Sequence, residues 1–161
     1  MNNTFGLIIA IVLSELAGVI GSVFTAPSID GWYSTLIKSE FNPPAWVFGP
    51  VWTTLFAMMG ISVFLIWAFY AEASEDKKQR IRFALVLFGI QLVLNILWSI
   101  IFFGLRSPVG AFVEIIFLWF VILATIITFS KISKLAAWLL VPYILWVTFA
   151  AYLNYYIWVI N

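Results

Sequence analysis

The sequence predicts an all-α integral membrane protein, built as a bundle of five transmembrane helices. Of its 161 residues, 65% are hydrophobic and 9% are charged, whereas a soluble domain is about half apolar and about a quarter charged. The apolar residues form five uninterrupted runs, each long enough for a helix to cross a hydrocarbon core of about 30 Å. A transmembrane β-barrel would instead show short segments of alternating character.

The five predicted spans belong to a single domain that covers residues 1–161. Each span ends where an apolar run meets charges or turn-forming residues, and the spans are residues 5–26, 45–70, 83–104, 108–130 and 135–160. The three later connections are short, the first of them being a charged turn at residues 71–82. Consecutive helices are therefore expected to be antiparallel neighbours.

The first span has small residues at every fourth position and one acidic residue. Ala10, Ser14, Gly18 and Ser22 share one face, which lets the backbone of another helix approach closely, either within the chain or in a homodimer. Glu15 lies near the middle of the span, and no Lys or Arg occurs at that depth. Because a charge at the bilayer centre costs at least about 2.5 kcal/mol, we expect a neutral carboxyl here.

The first connection, residues 27–44, is expected to be functional because loops of this length are uncommon in compact bundles. Trp32, Tyr33 and Leu36 have the spacing of one helix face, which predicts a short helix lying back on the bundle. A solvated linker is the alternative.

Three prolines shape the entry to the second span. Pro43 and Pro44 impose an extended chain and favour a helix start. Pro50 removes a backbone hydrogen bond one turn inside the helix, which is therefore expected to bend beside Trp52. A bent, aromatic-lined entrance is a candidate binding site.

Aromatic and amide side chains recur on one face of the second, third and fifth spans. The three stripes are Trp52, Leu55, Phe56 and Met59; Gln91, Asn95, Trp98 and Phe102; and Pro142, Trp146, Phe149, Ala150 and Leu153. Such stripes can line one cavity, in which the rings would stack on a flat polycyclic ligand. Helix packing or an interfacial aromatic belt is the alternative. In the fourth span, which begins at Pro108, Glu114 is expected to reach Arg106 or water.

Charge and composition exclude several classes of function. The formal net charge of +1 gives no basic field for nucleic acid. The chain has no Cys and no His, which removes disulfides, thiol catalysis, histidine metal ligation and axial ligation of haem by either residue. No metal site is expected, and no cofactor is required.

The distribution of Lys and Arg predicts the orientation in the membrane. Two basic residues, Lys38 and Arg106, lie on one side, whereas six lie on the side of the N-terminus: Lys77, Lys78, Arg80, Arg82, Lys131 and Lys134. Because cytoplasmic loops carry the excess of basic residues, we expect the N-terminus inside and the C-terminus outside.

Three segments of the sequence carry a family pattern. Residues 32–60 read WYSTLIKSEFNPPAWVFGPVWTTLFAMMG, residues 91–107 read QLVLNILWSIIFFGLRS, and residues 142–158 read PYILWVTFAAYLNYYIW. They resemble the translocator protein (TspO/MBR) family of tryptophan-rich sensory proteins, although Ser39 and Phe41 stand where that family usually has proline and tryptophan. The C-terminal segment resembles the sterol-recognition segment of the animal members but lacks its basic residue, which favours a prokaryotic cell membrane.

The resemblance implies a ligand cavity under the first loop, lined by the residues that match Trp52, Asn95, Trp98, Trp146 and Ala150, and commonly a homodimer. With the loop and the aromatic stripes, the predicted ligand-binding residues are Trp32, Tyr33, Pro43, Pro44, Trp52, Phe56, Asn95, Trp98, Trp146, Phe149, Ala150 and Leu153.

Three functions follow as hypotheses. The resemblance implies a receptor or carrier for tetrapyrroles, such as protoporphyrin IX or haem-like molecules, and for isoquinoline or benzodiazepine-type ligands. The second hypothesis is an enzyme that degrades porphyrin in light and oxygen, with Trp52 and Trp146 as catalytic electron-rich partners. The third is a small transporter that couples flux to protons through Glu15.

Overall fold

The computed structural model describes residues 3–161 and confirms the five-helix membrane bundle. These residues contain no strand, and five helical segments are long and apolar enough to cross a bilayer. The helices are α1 (Asn3–Ile29), α2 (Trp32–Thr35), α3 (Ala45–Ala68), α4 (Glu75–Ser99), α5 (Pro108–Ser130), α6 (Lys134–Leu139) and α7 (Val141–Ile160). The predicted single domain also includes Met1 and Asn2, which lie outside the described residues.

Helix α1 packs most extensively against α3, and glycine makes the close approach possible. A Cβ added at Gly60 would lie 2.5 Å from the Cα of Ile11, and one added at Gly18 would lie 2.7 Å from the ring of Phe56. Ser14 is fully buried at this interface. The small-residue face of α1 is thus used inside the chain, and the homodimer stays a prediction.

The first connection contains the predicted short helix. In α2, the rings of Trp32 and Tyr33 pack edge-on against Phe102, with centroids 5.6 and 6.2 Å away. Since α1 continues through Pro27 to Ile29, the connection is shorter than expected. A proline in the last turn removes a single backbone hydrogen bond, so it does not end the helix where hydropathy suggests.

The third span is longer than predicted at its charged end. The expected turn at residues 71–82 is wrong, because α4 already begins at Glu75. Glu75 and Asp76 lie in its first turn, where acidic groups interact favourably with the helix dipole. Glu, Lys, Gln and Arg are good helix formers, so the helix extends beyond its membrane-embedded part.

At its other end, α4 continues into one wide π-helical turn, Ile100–Gly104. The N–H of Leu105 donates to the carbonyl of Ile100 across this turn. The widened turn places two consecutive rings, Phe102 and Phe103, inside the protein, where they form the floor on which α2 lies.

Serine side chains and proline mark the remaining helix starts. Ser107 accepts a hydrogen bond from the N–H of Gly110 at the start of α5, and Ser133 accepts one from Ala136 at the start of α6. The predicted continuous fifth span is divided at Leu140, one residue before α7 begins. Pro142 then occupies the first turn of α7, where its missing N–H removes no intrahelical bond.

Candidate functional site

A cavity of about 530 Å³ lies in the half of the bundle that carries α2. Helices α1, α3, α4 and α7 form its wall, and α2 reaches its mouth through Tyr33. Nine of the lining residues are aromatic: Tyr33, Trp46, Phe48, Trp52, Phe56, Trp98, Phe102, Phe103 and Trp146.

The α3 wall is a pair of stacked rings. Trp52 and Phe56 lie four residues apart on one helix face, with ring centroids 5.5 Å apart and planes inclined by 29°. The ring of Phe56 fits against Gly18 of α1, where no side chain intervenes. Trp52 also contacts the fully buried Tyr143 edge-on, at 6.4 Å. Both neighbours fix the plane that Trp52 presents to the cavity.

A hydrogen-bond network joins the α4 wall to α7. Asn95 Nδ2 donates to the carbonyl of Gln91 and to the hydroxyl of Tyr143. The Trp98 indole donates to Asn154 Oδ1 at 3.1 Å, and Asn154 Nδ2 donates to the carbonyl of Pro108 at 2.8 Å. Asn154 thereby connects α4, α5 and α7 at the cavity.

The α7 wall combines one large ring with a small side chain. Trp146 packs edge-on against Phe48 of α3, with centroids 5.9 Å apart, while Ala150 and Leu153 continue the wall towards the mouth. The indole nitrogen of Trp146 is buried and has no hydrogen-bond partner within residues 3–161. Its N–H therefore contributes no hydrogen bond to the fold.

Side-chain contacts hold the first connection over the mouth. The side chain of Asn161 makes two hydrogen bonds with the backbone of Ile37, at 2.9 and 3.0 Å. Ser39 and Tyr152 share a hydrogen bond between their hydroxyls, which a proline at position 39 could not make.

Tyr33 links the same connection to the cavity wall. Its hydroxyl donates to Asn42 Oδ1 at 3.1 Å, and Lys38 Nζ lies 4.7 Å from its ring centroid. Burial raises the pKa of the Tyr33 hydroxyl, while the hydrogen bond to Asn42 acts in the opposite direction. Tyr33 therefore stays a neutral donor at physiological pH.

The cavity also reaches the outer surface of the bundle between α1 and α3. On α1, Ser22 and Ala26 both line the cavity and are exposed; on α3, Trp46, Gly49 and Thr53 do the same. Trp46 is 75% exposed. In a membrane, this side opening faces lipid.

Eight of the predicted ligand-binding residues line the cavity, and four do not. The eight are Tyr33, Trp52, Phe56, Asn95, Trp98, Trp146, Ala150 and Leu153. Trp32 packs against Phe102 instead. Pro43 and Pro44 precede α3 and act through their carbonyls: Pro43 accepts a hydrogen bond from the Asn42 side chain, and Pro44 accepts one from the N–H of Val47.

Phe149 does not line the cavity. It belongs to a shallow groove with Val51, Leu55, Pro142, Leu145 and Trp146, so Trp146 borders both spaces. The sequence stripe was too broad here, because Phe149 lies three residues after Trp146 and one before Ala150, which places it at the edge of the helix face.

The α1 side of the wall was missed as a binding surface. Glu15, Gly18, Ser22 and Thr25 all line the cavity. The spacing of the small residues Gly18 and Ser22 was visible in the sequence, but the same pattern is typical of helix packing. Here one face of α1 both packs against α3 and lines the cavity.

The two membrane carboxyl groups have different environments. Glu15 is half-buried in the cavity wall. Glu114 forms no ion pair with Arg106: it is 8% exposed, and both carboxyl oxygens lack a hydrogen-bond partner within the described residues. Glu114 shares the buried side of α5 with Ala111, Ile115 and Leu118, whereas Val113 and Phe117 are exposed.

Comparison with known proteins decides the family. The model of the TspO/MBR family matches residues 10–159. The chain belongs to the TspO/MBR family. It is similar to the tryptophan-rich protein TspO of Chlorobaculum tepidum, with 43% identity over 96% of this chain and 95% of that protein. It is also similar to the tryptophan-rich protein TspO of Archaeoglobus fulgidus, with 41% identity over 96% of each chain.

An animal member of the TspO/MBR family is similar over nearly the same length. The translocator protein of Bos taurus is 35% identical over 91% of this chain and 85% of that protein. The family match includes all four helices that form the cavity wall. Family membership and the five apolar helices together establish an integral membrane protein.

Proposed function

We propose that this TspO/MBR family member is a membrane receptor or carrier that binds flat polycyclic molecules in the cavity, tetrapyrroles such as protoporphyrin IX among them. The observation that carries the proposal is the aromatic wall. Rings from α3, α4 and α7 surround one space, and Ala150 leaves room beside Trp146. Isoquinoline and benzodiazepine-type molecules have the same flat, apolar character.

The volume and polarity of the cavity support this ligand class. Small-molecule sites commonly enclose about 300–1,000 Å³, with a mostly apolar lining and few polar groups. The cavity of about 530 Å³ is within that range. Its amides, Asn95 and Asn154, are already engaged in hydrogen bonds with the protein, so stacking and apolar burial are expected to dominate binding.

A titration in the dark tests the proposal. Protoporphyrin IX is added to the purified protein while its visible absorption is followed, first for the wild type and then for Trp52→Ala and Trp146→Ala. Loss of an aromatic contact worth about 0.5–1.5 kcal/mol beyond area burial weakens binding by roughly two- to twelvefold or more.

Trp138→Ala is the matched control, because Trp138 is 69% exposed and remote from the cavity lining. Its affinity for protoporphyrin IX is expected to equal that of the wild type. Unchanged binding in both cavity variants would place the ligand elsewhere.

A second candidate function, light-dependent porphyrin degradation with dioxygen as the oxidant, is favoured by the surroundings of Trp52. Its ring lies beside that of Tyr143, and Tyr143 is hydrogen-bonded to Asn95. Two oxidisable rings in contact would support electron donation to a photoexcited porphyrin.

Illumination distinguishes degradation from simple binding. Trp52→Phe and Trp146→Phe keep a stacking ring but remove the more readily oxidised indole. If the protein degrades porphyrin, these variants lose most of the light-dependent bleaching while their dark affinity falls only modestly. Bleaching that is equal in wild type and variants would exclude a role for the two indoles.

A further inference from the structure

The cavity wall contains one carboxyl group and no basic side chain. Among the residues that line it, Glu15 and Tyr33 are the ionisable ones, and Tyr33 is held by Asn42. Glu15 is half-buried and lines the cavity, and no hydrogen bond or ion pair to it occurs within residues 3–161. The protein thus leaves an acidic group available to whatever occupies the space.

Position along the helices places Glu15 at the end of the cavity far from the mouth. It is about two turns before Ser22 and four before Ile29 on α1, and Ile29 lies next to α2. Phe56 lies against Gly18, one turn after Glu15 on α1, and its stacked neighbour Trp52 is one turn nearer the mouth. A ligand that stacks on these rings would direct one edge at the Glu15 carboxyl.

We infer that Glu15 forms a subsite for a cationic or N–H-donating group on a flat aromatic ligand. A carboxyl group inside a membrane needs a proton, water or a positive partner. The described chain offers no positive partner at this depth, since its basic residues lie near the helix ends and in the connections. A protonated amine on the ligand supplies the missing charge and forms a charge-assisted hydrogen bond.

The subsite also orients ligands that carry carboxylates. A ligand carboxylate supplies no positive partner, so it does not stabilise an ionised Glu15 in a site of low dielectric. A carboxylated tetrapyrrole is therefore expected to keep its acidic edge at the mouth, where Lys38 lies beside Tyr33.

The inference rests on the proposed aromatic-ligand function, and three acridines of similar shape test it. Binding of cationic 9-aminoacridine, neutral acridine and anionic acridine-9-carboxylate is measured at neutral pH by quenching of tryptophan fluorescence. The protein is held in phosphatidylcholine nanodiscs, so that the lipid has no net charge. The wild type is expected to bind the cation about tenfold more tightly than neutral acridine, and the anion most weakly.

Variants assign the preference to Glu15. Glu15→Gln is expected to bind the three acridines with similar affinity, whereas Glu15→Asp keeps the preference for the cation. Glu72→Gln is the matched control, because Glu72 is exposed in the connection between α3 and α4, and it is expected to behave as the wild type. If Glu15→Gln does not fold, Glu15→Met takes its place.

Equal affinities in the wild type, or a cation preference that persists in Glu15→Gln, would overturn the inference. A failure to bind 9-aminoacridine at all would overturn it as well. Protoporphyrin IX is titrated in parallel to separate the two proposals. If it binds while the acridines show no charge preference, the proposed function is retained and only the Glu15 subsite is rejected.

Discussion

At the residue scale, Asn154 is the amide that connects three helices at the cavity. It accepts from the Trp98 indole and donates to the carbonyl of Pro108. Asn154→Leu removes both hydrogen bonds and leaves two buried groups unpaired, so the variant is expected to lose about 1–3 kcal/mol of stability. Thermal unfolding in detergent measures this loss.

A double-mutant cycle with Trp98→Phe separates the indole contact from the rest. Trp98→Phe removes the donor to Asn154 and keeps an aromatic ring. If the contact is real, Trp98→Phe is expected to cost less in the Asn154→Leu background than alone. Strictly additive losses would show that the two side chains do not interact.

For Glu114, in contrast to Asn154, we expect that replacing the polar side chain by an apolar one does not reduce stability. Its buried carboxyl oxygens make no hydrogen bond with the described residues, so removing them costs no native contact, while desolvation of the polar group is avoided. Glu114→Leu is expected to unfold at the same or a higher temperature than the wild type, and Glu114→Lys at a much lower one. A large loss of stability in Glu114→Leu would indicate a hydrogen bond to internal water.

Sequence patterns and the family resemblance together predicted the site residues, and two-thirds of these residues line the cavity in the structure. Trp52 and Phe56, or Trp98 and Asn95, share a helix face by spacing alone. Periodicity does not determine how far that face turns towards one cavity or another, which is why Phe149 was misplaced. It also does not show whether a small residue such as Gly18 adjoins a helix or an open space.

At the element scale, the contact between α1 and α3 depends on individual glycines. A Cβ at Gly60 would meet the backbone of Ile11, which has no flexible end to move aside. Gly60→Ala is therefore expected to separate the helices and lower the unfolding temperature, despite the better helix propensity of alanine. The packing loss exceeds the gain because backbone atoms on both helices must shift.

Gly89→Ala is the matched control within a helix. A Cβ at Gly89 meets nothing within 4 Å, so only the propensity term acts, and it favours alanine by about 1 kcal/mol. Gly89→Ala is expected to raise the unfolding temperature slightly. If both variants changed stability in the same direction, the close approach at Gly60 would not be the cause.

The helix boundaries show what hydropathy measures. It located all five membrane spans, but it missed the charged start of α4 and the break at Leu140. Hydropathy reports which residues tolerate hydrocarbon, whereas the ends of helices depend on caps, dipoles and prolines. The wide turn at Ile100–Gly104 has no signature of either kind, since no proline or charge lies within it.

At the scale of the whole molecule, orientation in the membrane is the main remaining prediction. Six basic residues on one side against two on the other predict that the N-terminus lies inside. The chain has no native cysteine, so Ser34→Cys and Ser74→Cys each introduce one exposed thiol, on opposite sides of the bundle. An impermeant maleimide added to intact cells is expected to label the first and not the second.

Permeabilised cells provide the control, because both thiols are then accessible. Labelling of Ser74→Cys alone in intact cells would reverse the orientation. Labelling of both in intact cells would be incompatible with five spans.

The two halves of α3 are packed to different extents, which affects their flexibility. The second half packs closely against α1 at Gly60. The first turns border the side opening, contain Pro50 and include the exposed Trp46. The outer half of α1 is itself secured, because Ser28 donates to the carbonyl of Phe103. The first turns of α3 are thus expected to be the most flexible part of the cavity wall. Amide hydrogen exchange should be fastest in the first turns of α3, and an occupant of the cavity should slow it there most.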